Sequence, residues 1–110
     1  MRQKVYRPLV YVCSPYSGNV SKNTEEARQY SRYVVDKGGI AFAPHLLFPQ
    51  YMDEKTERDL AMHMNAIFVA KCDELWVFGD VITSGMEYEI SRAEKLNKKI
   101  KYIEDYRKER

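Results

Sequence analysis

The side chains best spaced for chemistry lie in DVITSGMEYEISRA, residues 80–93, directly after the apolar run LWVF at residues 75–78. A strand there should pass through a turn into a helix. Ser84 stands where an N-cap belongs and Glu87, three residues on, completes a capping box, so the backbone N–H groups near Gly85 and Met86 should open onto the strand end. Glu89 then falls within the first two turns. The positive end of the helix dipole would favour its ionised form, which a nucleophile or a cation-stabilising group requires. Spacing alone favours Glu87 and Glu89 as exposed helix residues, since Glu is common in a first turn.

Other candidates surround this junction. Residues 14–19, SPYSGN, form a cluster of turn residues that can offer backbone N–H groups and the Ser14 and Ser17 hydroxyls to a phosphate, although the loop is neither GxGxxG nor a Walker sequence. Tyr16 is suited to stack on a base or to sit as an ordinary rim residue. His45 follows a short strand, where it can bind a phosphate or hydroxyl or serve the structure, and Asp80 after Gly79 suits either a ligand or a turn. Asn65 and His63 fall on a helix whose N-terminal half should lie nearer the site.

The elements that must position these residues alternate. Residues 9–13, LVYVC, predict a first strand covered on both faces. Asn23 and Glu26 mark the next helix start, Ala27, Tyr30 and Val34 its inner face, and Gly38 with Gly39 its end. Residues 40–43 form a second strand, broken by Pro44. Residues 45–55 should be an ordered apolar loop serving as a lid, pocket wall or subunit contact. Thr56 and Asp59 resemble a cap pair, followed by one face made of Leu60, Met64, Ile67, Phe68 and Lys71. A strand at 74–78, a helix to about Leu96 ended by Asn97 in the left-handed conformation, and a strand at 100–103 complete the chain. The expected fold is α/β, a three-layer sandwich with a Rossmann-like or flavodoxin-like parallel sheet of four or five strands in order 2-1-3-4. Ligands in such folds bind beyond the strand carboxyl ends at the switch point, which brings the loop at 14–19, His45 and residues 83–89 together.

At 110 residues the chain suits one domain, with residues 103–110 as a charged tail. Eighteen basic and sixteen acidic side chains give a net charge of +2, which does not suggest a nucleic-acid polymer or a membrane surface. The concentration of Lys and Arg after residue 92 reads as a solvated helix face and a frayed tail. No run reaches the roughly 18 apolar residues of a span, and the N-terminus lacks a secretory pattern, so a cytoplasmic location is expected. Cys13 and Cys72 should remain reduced, and no metal is expected because the two cysteines and the separated His45 and His63 form no close ligand pairs.

Four segments, VYVCSPYSG, APH, CDELWVFGD and SGMEYEISRA, resemble the nucleoside 2-deoxyribosyltransferase-like superfamily, which includes 2'-deoxynucleoside 5'-monophosphate N-glycosidases. The resemblance runs from Val10 to about Ile103 and is most specific in the last segment. It implies that Glu89 is the nucleophile and that Tyr11 positions it. It also implies that Ser14, Pro15, Tyr16, Ser17 and Gly18 surround the sugar and its 5'-substituent, with Ser84 and Gly85 helping to hold them. His45 matches a histidine of the nucleotide-hydrolase branch. Asn65 stands where other members carry an Asp that helps protonate the leaving base, Glu87 replaces a glycine, and Ser17 replaces an arginine of the hydrolase branch.

The implied reaction is attack by Glu89 on an anomeric carbon, release of the base, and resolution of the glycosyl-enzyme by water or a second base. The acid for the base is unassigned among Asp80, Glu87 and a group from a partner chain. The implied partner is a small-molecule nucleoside or nucleotide, without a cofactor. Two rivals stand beside this: a nucleotide sensor that kept the pocket without the chemistry, and a flavodoxin-like FMN carrier. Uncovered edges of a four-stranded sheet and the apolar loop suggest a homo-oligomer, a dimer or larger, and the resemblance implies the same.

Overall fold

The computed structural model describes residues 5–104; of the charged tail expected at 103–110, Ile103 instead ends the last strand and residues 105–110 lie outside the described residues. Strand β1 is Leu9–Cys13, followed by helix α1, Val20–Asp36, and strand β2, Ile40–Phe42. A short helix α2, Pro44–Leu47, and a 3₁₀ turn, Phe48–Gln50, lead to helix α3, Arg58–Lys71. Strand β3, Glu74–Phe78, helix α4, Ser84–Lys95, and strand β4, Lys99–Ile103, follow. All pairings are parallel and the order is β2-β1-β3-β4, as expected from the alternation of elements.

The register Tyr11↔Leu75 and Val12↔Trp76 sets alternate residues of β1 and β3 on opposite faces. Val10, Val12, Trp76 and Phe78 pack with Tyr30, Tyr33 and Val34 of α1. Tyr11, Cys13, Leu75 and Val77 pack with Val69 of α3 and with Met86, Ile90 and Ala93 of α4. Helices therefore cover both faces, which is why the two central strands carry almost uninterrupted apolar sequence. Gly39 joins α1 to β2 where a side chain would not fit, since a Cβ would lie 2.9 Å from Val34 Cγ1.

Several local expectations need correction. Asn19 caps α1 by accepting from the Lys22 N–H at 3.1 Å. Asn23 lies inside the first turn and instead donates to the carbonyls of Tyr16 and Ser17, tying the preceding loop to the helix. Residues 45–55 are ordered, but as α2, the 3₁₀ turn and an Asp53 turn rather than as a simple loop. Thr56 and Asp59 do not cap α3; Asp53 Oδ1 accepts from Lys55 and Thr56, and Glu57 Oε1 accepts from Asp53. The inner face of α3 is Asn65, Ala66 and Val69, while Leu60 and Ile67 are 49% and 43% exposed. Leu60 and Ile67 turn to the flank, whereas Phe68 of the expected face packs inward with its ring stacked on Phe42, centroids 4.1 Å apart. Asn97 has φ 57° after α4, the left-handed stop expected there.

Candidate active site

Strand β1 and helices α3 and α4 converge on one carboxylate. Tyr11 points from β1 to the α3–α4 face, where its hydroxyl donates to Glu89 Oε2 at 2.9 Å. Asn65 on α3 donates Nδ2 to the same oxygen at 3.1 Å. Glu89 is only 3% exposed, yet it reaches the wall of a cleft of about 160 Å3. Its Oε1 is the oxygen to which neither side chain donates.

Burial pushes the Glu89 carboxyl up to about 7, against the lowering effect of hydrogen bonds from Tyr11, Cys13 and Asn65. This reverses the expected dominance of the helix dipole. Glu89 is six residues into α4, whereas dipole effects fade within the first turn, so desolvation prevails. Burial first, and the neighbouring Glu89 charge second, push the Tyr11 hydroxyl and Cys13 thiol well above their usual ranges. Both remain neutral beside the carboxylate, Tyr11 donating to it and the Cys13 thiol donating to the Met86 carbonyl at 3.9 Å. Cys13 and Cys72 are buried free thiols.

The cap of α4 also shifts by one residue. Thr83 Oγ1 accepts from the Met86 N–H at 3.2 Å, and the Glu87 N–H bonds the Thr83 carbonyl. Ser84 is the first helical residue rather than the cap, and the Met86 N–H is already engaged. The Met86 side chain is buried in the core below, and Glu87 is exposed and does not line the cleft.

Of the residues singled out from sequence, Tyr16, Ser17, His45 and Asn65 line the cleft, joined by Ser84, Gly85 and Glu89. Tyr11 lies beneath them, reaching the site through Glu89. Ser14, Pro15, Gly18 and Asp80 are not among the lining residues. Ser14 is buried, Gly18 forms a turn at φ 95°, and Pro15 lies where a Cβ on Gly79 would meet it at 3.2 Å. Asp80 is exposed beyond that turn.

His45 is held in the wall. Its Nε2 lies 2.8 Å from the Ser14 carbonyl, which can only accept, so the proton is on Nε2. Burial lowers the imidazole below its ordinary range, and its ring stacks on Tyr16 with centroids 4.8 Å apart. The opposite wall was not read from sequence: Arg58, Ala61 and Met62 of α3 line the cleft with Asn65. Their spacing, i, i+3, i+4 and i+7, was the available signal. At the mouth Arg58 pairs with Glu54 at 3.6 Å, both half exposed.

Residues 8–103 match a family described as a domain of unknown function, DUF7768. Nothing among curated proteins matches the chain. Among solved structures, the fold is similar to that of a 2-deoxyribosyltransferase from the psychrotolerant bacterium Bacillus psychrosaccharolyticus, described as a biocatalyst for nucleoside synthesis. The TM-score is 0.71 over 87% of this chain and 72% of that one, at 15% identity. At that identity the likeness is one of fold, and it agrees with the strand order found here.

Proposed function

The chain belongs to the DUF7768 family, and from its buried carboxylate we propose that it cleaves or exchanges the N-glycosidic bond of a nucleoside, deoxynucleoside or nucleoside monophosphate. This reading places it in the nucleoside 2-deoxyribosyltransferase-like superfamily, as a single cytoplasmic domain acting in a homo-oligomer. Glu89 Oε1 attacks the anomeric carbon as the bond to the base breaks, and water or a second base resolves the glycosyl-enzyme. Tyr11 and Asn65 position the carboxylate through Oε2. Tyr16, Ser17, His45, Ser84 and Gly85 form the part of the wall that faces the sugar and its 5'-substituent.

The observation that carries this reading is a carboxylate 3% exposed, held on one oxygen by two donors at a cleft wall. A buried carboxyl without a task would be replaced at little cost by an apolar residue. Incubation with a panel of nucleosides and monophosphates, followed by chromatography for free base, tests it. Glu89→Gln should abolish base release, by about 10⁴-fold or more, while the protein keeps its fold. Unchanged release in that variant would sink the assignment. A second reading, a nucleotide sensor, is favoured by the Asn65 amide at the place of an acid. It predicts binding without base release or base exchange.

A further inference from the structure

Among the described residues that line the cleft, none is placed to protonate the departing base. Asn65, beside Glu89, is an amide and cannot give up a proton. The one proton of neutral His45 is committed to the Ser14 carbonyl. Tyr16, also in the wall, is shifted further from titration near neutrality by burial, and Glu54 is paired with Arg58 at the mouth. Asp80 and Glu87 are exposed and outside the lining.

We infer that the cleft accepts N-glycosides with a cationic leaving group, of the N-glycosylpyridinium class, which depart as neutral bases without needing a proton. This rests on the glycosyl-transfer reading above. Glu89 Oε1 bonds to the anomeric carbon while the carbon–nitrogen bond breaks, and the bonding pair cancels the charge on the ring nitrogen. Water then attacks the same carbon, Glu89 leaves as the carboxylate, and the proton of water passes to solvent.

The surroundings suit a flat cation. The lining carries the Glu89 carboxyl and the aromatic side chains of Tyr16 and Phe48, while Glu54 is paired with Arg58. An arriving cation favours the ionised form of a carboxyl that burial pushes up to about 7. Asn65 fits the same task. Its Nδ2 supports the Glu89 carboxylate, and its buried Oδ1, which meets no donor among the described residues, can accept from a carboxamide substituent on the ring. An aspartate at 65 would share a proton with Glu89 and serve a neutral base instead.

The test compares nicotinamide and adenine glycosides in matched forms, as ribosides, 2'-deoxyribosides and their 5'-monophosphates, using the full chain and chromatography of the free base. The expected kcat/KM is about 10²-fold to 10⁴-fold higher for nicotinamide release, which is the range a general acid would contribute to the disfavoured substrate. Asn65→Asp should narrow that ratio by raising adenine release, and should add a falling alkaline limb to its pH profile. If that variant fails to fold, the wild-type ratio decides alone. Adenine release equal to or faster than nicotinamide release overturns the leaving-group inference while leaving the glycosyl-transfer reading intact. Release of neither base overturns both.

Discussion

The two faces of the sheet are made by alternate residues of the same strands, yet they bury different chemistry. On the α1 face, Val12, Trp76 and Phe78 meet Tyr30, Tyr33 and Val34. Rings stack there at 4.5 Å between Tyr30 and Phe78, and Tyr33 approaches Phe78 edge-on at 5.9 Å. On the α3–α4 face, Tyr11 sits among Val69, Leu75 and Ile90 but aims its hydroxyl at Glu89, and Asn65 is buried beside them. The first face is aromatic packing and the second holds an ionisable group against desolvation. With a side-chain period of two, a one-residue slip of β1 would exchange Tyr11 for Val10 or Val12 and remove the donor from Glu89.

The largest difference between the faces should appear on truncation. Phe78→Ala, at a position 0% exposed, should lower unfolding free energy by about 3–5 kcal/mol in urea titrations. The midpoint of the pH–activity curve should stay in place, and a shifted midpoint would show that the two faces are coupled. Next in size is a pH effect confined to the α3–α4 face. The Glu89 carboxyl rises from 4.5 to about 7 on folding, so the native state binds more protons between those values. Stability must therefore fall as pH rises through that window, by on the order of 3 kcal/mol when complete. Urea unfolding at pH 5 and pH 8 measures it, and Glu89→Gln should remove this component while raising stability at pH 8 above wild type. In the proposed reaction the same ionisation should make kcat/KM increase with pH through about 7, because a carboxylate nucleophile must be charged.

The smallest effect separates positioning from packing within one face. Tyr11→Phe keeps the ring against Phe42 but removes the hydroxyl bond to Oε2. Turnover should fall about tenfold to 10²-fold, the worth of one hydrogen bond to a charge. The pH midpoint should move up, because a donor to the ionised form is gone. A fall in turnover with an unmoved midpoint would reduce Tyr11 to a packing residue.

The central strands were legible because length, β-branched content and flanking turns agree, and the bounds expected at 9–13 and 74–78 are the observed ones. Caps were less so, since Asn19 and Asn23, or Thr83 and Ser84, are chemically equal candidates, and the folded turn decides between them. The face of α3 could not be read from periodicity. Apolar residues occupy nearly every side of it, and the inward stripe is the one with the polar Asn65. Glu89 was separated from Glu87 by family resemblance rather than by spacing, and its protonation could not follow from its helix position. Burial by residues up to 78 positions away in sequence governs it. Arg58 and Glu54 were missed because a charged pair one helical turn apart looks like ordinary surface until a cleft opens beside it.

The sheet ends in two unlike borders. Strand β2 is three residues long, and β4 presents Lys99 and Lys101, the latter with its ammonium 4.7 Å from the centre of the Trp76 ring. Both devices discourage another chain from extending the ladder. Crowded native molecules should therefore meet through helical flanks, including the apolar side chains of α3, rather than template one another strand by strand. A concentrated solution should accordingly resist fibril growth until the chains unfold.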